Sequence, residues 1–170
     1  MSFIPSFLQS APQTTTFVFG AGDLTISNVI TAVDLTSAII LNGGQYGDDA
    51  SGFPTGAQYC YMDFADSTHI RATRGLLYAY TPNPYATIFE FNRGMLRQDI
   101  YFTAAHLATY AHGLTLGPKA FAVCSGYKSN QNVSGIELYN HASIRLNGAN
   151  VDIKIGPSVA AIGIFIVDPR

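Results

Sequence analysis

Along much of this chain apolar residues recur at every second position. Leu24-Thr25-Ile26-Ser27 and Val151-Asp152-Ile153-Lys154-Ile155 alternate apolar with polar, the period of a strand with one buried face. Tyr59-Cys60-Tyr61-Met62-Asp63-Phe64 alternates faces in the same way. Ser143 to Leu146 and Val151 to Ile155 flank Asn147-Gly148-Ala149-Asn150. An Asn-Gly between two such runs predicts a hairpin. Ala160 to Val167 is apolar at every position, which predicts a strand covered on both faces. Short strands with frequent turn signals and Gly-rich loops predict an all-β protein of sandwich type. One segment reads two ways. The alanines of Thr103 to His112, ended by Gly113, favour helix. The matching segment of an internal repeat, Gly20 to Ile30, reads as strand.

That repeat is the second layer of the pattern. Phe17-Val18-Phe19 falls on Ile100-Tyr101-Phe102, Leu24 on Leu107, and Ser37 to Leu41 on Lys119 to Val123, at a shift of 82 or 83 residues. Further on, Thr68-His69-Ile70-Arg71-Ala72-Thr73 resembles Ala142-Ser143-Ile144-Arg145-Leu146-Asn147 at a shift of 74, which also sets Ile88 on Ile162, Phe91 on Phe165 and Arg74-Gly75 on the Asn-Gly turn. A register that holds, slips at one loop and holds again is the mark of a tandem duplication. The expected organisation is an N-terminal arm (1–13) and two tandem small β-sandwiches (14–94 and 95–170). A sandwich of about 80 residues buries only ~60–65% of its unfolded surface. Each unit would therefore gain from packing on its twin or on other chains. Asn92 to Gln98, with Arg93 and Arg97, reads as the linker. The arm carries Phe3, Ile4, Phe7 and Leu8 broken by Pro5. It either docks on a neighbouring subunit or folds back on its own domain.

Composition narrows the partners. Of 170 residues 48% are hydrophobic and 12% charged, about half the usual charged share. Such a chain suits a protein that hides much of itself in contacts. With a net charge of −2 and no basic stripe, nucleic-acid backbone binding is not expected. The first residues lack the charge and apolar run of a signal peptide, and no run is long enough to span a bilayer. Cys60 and Cys124 lie in apolar strand-like stretches, so both are expected as reduced thiols.

The run Leu24 to Gly43, containing Ile30-Thr31-Ala32-Val33-Asp34-Leu35-Thr36-Ser37-Ala38-Ile39-Ile40-Leu41-Asn42-Gly43, resembles a phrase common in small structural proteins of tailed bacteriophages. In those a variable loop follows, then a strand phrase matched here by Ser67 to Gly75, then a last apolar strand matched by Ala86 to Phe91. The resemblance covers residues 24 to 91. The lysine or aromatic usual after Asp-Leu-Thr is replaced by Ser37-Ala38. The resemblance implies a virion component, a head-decoration, collar or tail accessory protein assembled in the host cytoplasm. Its partners would be other virion proteins and further copies of itself. A trimer of a duplicated chain would present six similar sandwiches. In physical terms Asp34 is expected to make an Asx-type turn with Leu35-Thr36.

Chemistry-bearing motifs are few. His69 and His141 lie beside short polar segments and read as strand caps or turns. His106 and His112 have a spacing unsuited to a shared helical face. Asp48-Asp49 offers either a hydrated turn or a weak calcium site. No nucleophile elbow, zinc-protease motif or phosphate loop is present, so no enzyme activity, cofactor or metal is expected. Aromatic residues carry the expected binding surface: Tyr46 and Phe53 in the long loop, Tyr78, Tyr80 and Tyr85 after the first hairpin, and Phe3 and Phe7 in the arm. Such rings either anchor partners or cover the open ends of the sandwiches. A receptor- or carbohydrate-binding module is the alternative function, although the chain has no tryptophan. An enzyme or a cellular adhesion domain comes third.

Overall fold

The computed structural model describes residues 7–47, 60–75, 82–92, 97, 99–102, 107–129, 142–156 and 159–169. Those residues form twelve strands and no helix. In chain order they are β1 (Gln13–Thr16), β2 (Thr25–Val29), β3 (Ala38–Gly47), β4 (Cys60–Asp66), β5 (His69–Arg74), β6 (Pro82–Glu90), β7 (Asp99–Phe102), β8 (Leu107–Ala111), β9 (Phe121–Ser129), β10 (Ala142–Asn147), β11 (Asn150–Ile155) and β12 (Val159–Val167). The β8 assignment resolves the helix-or-strand alternative over residues 107–111 in favour of strand; residues 103–106 lie outside the described ones. Strand partners supply what the alanines cannot, since Tyr110 packs inward while β8 pairs with β11. Tertiary pairing outweighs intrinsic preference here.

All the pairings are antiparallel, and they build three sheets in the orders β1-β6-β3, β10-β11-β8 and β2-β5-β4-β9-β12-β7. One strand order occurs twice. β1-β6-β3 is matched by β7-β12-β9, and β2-β5-β4 by β8-β11-β10. Registers match as well as order. Thr25 faces Thr73 and Ile26 faces Ala72, where Leu107 faces Lys154 and Ala108 faces Ile153. The β3–β6 ladder slips between Asn42 and Gly44, and the β9–β12 ladder slips between Cys124 and Gly126, one extra residue in each case. A bulge of this kind is a placed feature of a sheet. At the far end of each ladder a carboxylate ties down the approach to the strand. Glu90 accepts the Asp34 amide at 2.7 Å, and Asp168 accepts the Gly117 amide at 3.0 Å.

This pairing corrects the 74-residue register. β5 is the middle strand of its sheet and β10 an edge strand, so Thr68 to Thr73 does not correspond to Ala142 to Asn147. The counterpart of β5 is β11, and that of β4 is β10. The first hairpin turns at Ser67-Thr68, not at Arg74-Gly75. Through the β3 and β9 ladders Ile88 corresponds to Ile166 and not Ile162. Adjacent hairpin strands carry the same alternation, so composition alone does not tell them apart.

The sheets stack in three layers around two cores. The larger core takes Phe17, Phe19, Ile40, Met62, Ile70 and Ile88 together with Phe165 and Val167 of the last strand. The smaller takes Val151, Ile153, Ile155, Ile162, Ile164 and Ile166. β12 thus serves both, with successive residues turned to opposite sides as the pleat requires, which explains its unbroken apolar run. Each buried isoleucine there contributes about 1.5–3 kcal/mol of transfer free energy. The β10–β11 hairpin forms as expected, with Gly148 at φ 59°, a left-handed conformation that glycine adopts without strain.

Candidate assembly interface

The most specific construction in the molecule is the joint between its two halves. β4 and β9 meet edge to edge in the six-stranded sheet, registered at Tyr61 and Gly126. Gly126 has φ 118°, and a Cβ there would run into the Cys60 carbonyl and lie 2.8 Å from Asn42 Nδ2. Only glycine lets the two backbones approach so closely. Beside it the fully buried Ser125 donates its hydroxyl to the Met62 carbonyl at 2.7 Å. Gly163, facing Gly126 on β12, leaves room for that hydroxyl, since a Cβ would collide with Ser125 Oγ. Lys128 Nζ stands 6.0 Å from the Tyr61 ring centroid.

Aromatic packing closes the joint on its other face. Phe64 and Phe165 meet edge to face at 6.0 Å and 76°, a geometry worth about 0.5–1.5 kcal/mol beyond burial. The Arg97 guanidinium lies 5.0 Å from one ring and 5.4 Å from the other, and donates to the Leu35 carbonyl. Arg97 is therefore more than a linker residue: its own side chain touches both halves by cation–π contact.

Of the residues expected to bind, the structure describes three. Phe7 is exposed, and its carbonyl accepts the Asn92 amide at 3.0 Å. Leu8 bridges to Phe91 and is buried, and the Gln9 amide bonds the Glu90 carbonyl. Residues 7–9 thus fold back on their own domain. Tyr85 sits on β6 between Thr16 and Gly44, 40% exposed, with its ring against Gly43. Tyr46 is a β3 position opposite Asn83. Phe3, Phe53, Tyr78 and Tyr80, with Asp48-Asp49 and His141, lie outside the described residues. Sequence reasoning does not single out Ser125, Gly126 and Gly163. The small-residue run Ser125-Gly126 inside a strand is their only trace, since glycine in a strand marks a bulge or a close approach.

The remaining polar clusters have architectural partners. Asp34 Oδ1 accepts both the Thr36 amide and hydroxyl, 2.8 and 2.7 Å, and the side-chain bond followed by the backbone bond holds its carboxyl below the ordinary range. Asp66 repeats the arrangement at the first hairpin turn, bonded to His69, to the Thr68 amide and to the Thr68 hydroxyl, and is pulled down to about 2. His112 is buried, with Nε2 on the Gly148 carbonyl and Nδ1 accepting the Leu114 amide. Arg74 is buried at the end of β5 against the Phe19 ring, donating to the carbonyls of Asp23, Gly20 and Ala21. Its counterpart on β11, Ile155, reaches the same depth by being apolar. Both cysteines are free; burial raises the Cys124 thiol and pushes Cys60 up to about 12. An open cavity of about 460 Å³ lies over β8 and β11, lined by Leu107, Ala108, Thr109, Asn147, Asp152 and Ile153. The Asp152 carboxylate there is already bonded to Thr109 and Asn147. Among the described residues no three His, Cys, Asp or Glu side chains gather as a metal site.

Compared with known protein families, with curated proteins and with solved structures, the chain finds no match. Fold and interface define it as an all-β protein of three stacked sheets. Its halves, alike in strand order, are joined through a sheet edge.

Proposed function

We propose that this chain is a non-enzymatic structural component of a bacteriophage virion, a head-decoration, collar or tail accessory protein that works through protein–protein assembly. The observation that carries this reading is the β4–β9 joint: the chain uses a strand edge, lined with glycine for close approach, to bring one sandwich against another. The phage-like phrase from Leu24 to Phe91, the low charge and the shared strand order of the halves support it. In this reading residues 14–94 and 95–170 descend from one duplicated sandwich, 1–13 form the arm, and the protein self-associates, as a trimer of six sandwich units, on other virion proteins. It assembles in the host cytoplasm and resides in the particle.

Gradient-purified particles of the virus that encodes the chain test this directly. Quantitative mass spectrometry is expected to find the chain in a fixed copy number per particle, and electron microscopy with a labelled version to place it on head, collar or tail. Particles free of the chain would sink the reading.

A further inference from the structure

The β10-β11-β8 sheet turns Val151, Ile153 and Ile155 of its middle strand to the smaller core. On its other face, halfway along β11, stands Asp152, with Thr109 opposite it on β8 and Arg145 opposite it on β10. No ion pair links the described residues Asp152 and Arg145. Neutral groups hold the carboxylate instead: Thr109 Oγ1 donates to Oδ1 at 2.9 Å, and Asn147 Nδ2 donates to Oδ2 at 3.0 Å. Leu107, the next outward residue of β8, is 68% exposed. The open cavity of about 460 Å³ is lined by this trio and that leucine, a volume in the range of small-ligand clefts.

The corresponding place in the first half is built differently. By register Arg71 corresponds to Asp152, Asp63 to Arg145, Ser27 to Thr109 and Thr25 to Leu107. There the two charges pair across the strands. The second half thus has a carboxylate fixed by neutral donors, beside an exposed leucine, where the first half has a closed ion pair.

An ionised carboxylate offers about four acceptor positions, of which two are taken by Thr109 and Asn147. Thr109 Oγ1, having given its proton, still accepts, and Asn147 keeps a second N–H and its carbonyl oxygen. The trio therefore presents several acceptors and a donor in fixed places. Charge narrows what they take. Arg145 across the ladder and Lys154 two residues along β11 are both exposed, which disfavours a cation, while the carboxylate itself disfavours an anion. Among the described residues no further acidic groups gather for a metal ion. A neutral ligand rich in hydroxyl groups, with an apolar flank, fits what is left.

We propose that this face of the second half binds a neutral saccharide. Adjacent sugar hydroxyls donate to the Asp152 carboxylate, one of them accepts from the Asn147 amide, and the C–H flank of the ring lies on Leu107. The site does not rest on the virion reading, since a particle-borne and a free protein could both carry it.

Saturation-transfer NMR on the full chain tests this, with the methyl glycosides of glucose, galactose, mannose and N-acetylglucosamine, and their disaccharides, as probes and methyl glucuronide as the anionic comparison. The expected result is saturable transfer from at least one neutral probe. Asp152→Asn keeps the side chain's shape and is expected to weaken binding about tenfold or more, the effect of losing hydrogen bonds to a charged group. Leu107→Ala, at an exposed position, is expected to weaken it as well. Ser27→Ala, at the corresponding place of the first half, is the control and leaves it unchanged. Far-ultraviolet circular dichroism is expected to be the same for all three variants. No saturable transfer from any neutral probe overturns the proposal, as does transfer from methyl glucuronide alone. Binding that survives both Asp152→Asn and Leu107→Ala overturns it too, because the sugar then sits elsewhere. Binding lost in those variants, from a chain that is absent from particles, sustains the site and sinks the virion reading.

Discussion

Ser125 in one half gives its hydroxyl proton to the backbone carbonyl of Met62 in the other, across 2.7 Å of buried space. It is a side-chain hydrogen bond that ties the halves directly, and it sits beside the glycine pair Gly126 and Gly163. Ser125→Ala removes the donor and leaves the Met62 carbonyl buried without it. The expected loss is about 1–2 kcal/mol, or roughly 2–8 °C in Tm for a chain of this size. Urea titration followed by tyrosine fluorescence and by circular dichroism checks this. The two probes are expected to coincide, because a shared core strand makes the halves one unfolding unit. Separate transitions in the parent protein would contradict that.

Two glycines with positive φ make a second comparison. Gly148 has φ 59° with open space around it, whereas Gly126 has φ 118° and a Cβ would strike the Cys60 carbonyl. Gly148→Ala incurs only the left-handed backbone strain, about 1–2 kcal/mol. Gly126→Ala adds a steric clash to strain, and a loss of roughly 2–5 kcal/mol is expected. Equal midpoints for the two variants in the same denaturant series would show that the β4–β9 approach is looser than the geometry describes.

Much of this fold is legible in the sequence for a physical reason: alternation and turn chemistry are local. The Asn147-Gly148 hairpin, the Asx turn at Asp34 and the doubly covered β12 all follow from residues within a few positions of one another. The hairpin register does not, because β4, β5, β10 and β11 carry similar alternation and only their partners tell a middle strand from an edge. The joint is hidden for the same reason. Tyr61 and Gly126 are far apart in sequence, and nothing near either residue specifies the other. Arg74 reads in sequence as part of a turn, but three backbone carbonyls of the Gly20 to Asp23 segment bury it.

Arg74 supplies a third prediction. Its buried guanidinium donates to three carbonyls of the Gly20 to Asp23 segment, and burial lowers its own pKa, with Asp23 opposing that shift. Arg74→Met keeps much of the volume but abandons those acceptors. A loss of about 2–4 kcal/mol is expected, and Arg74→Lys is expected to recover only part of it, because an ammonium lacks the planar fork. Thermal denaturation of both variants measures the difference; a fully stable Arg74→Met would mean that water serves the carbonyls equally well.

Thiol chemistry reports on burial independently. Cys60 is wholly buried, its pKa pushed up to about 12, and Cys124 is raised in the same direction. The thiolate is the reactive form, so at about pH 7.5 both thiols are expected to resist Ellman's reagent in the native protein, Cys60 more strongly. Both are expected to react within seconds once denaturant is added. Rapid native labelling of Cys60 would mean that the β4–β9 joint opens easily.

The first hairpin turn carries the acid dependence. Asp66 is fully at the surface, yet His69, then the Thr68 amide and hydroxyl, hold its carboxyl at about 2 against an ordinary 3.8. A carboxyl whose pKa is depressed by folding stabilises the native state above its unfolded value and loses that contribution as pH falls through the folded one. The window is therefore about pH 4 down to 2, with stability falling as acid is added. Asp66→Asn keeps an acceptor for the Thr68 amide but does not titrate there. Urea midpoints at about pH 5, 4, 3 and 2 are expected to fall less steeply for Asp66→Asn than for the parent, and the curves to converge at the acid end. Parallel curves over the whole range would mean that the turn holds its shape without the carboxylate, and that the acid sensitivity of the protein lies elsewhere.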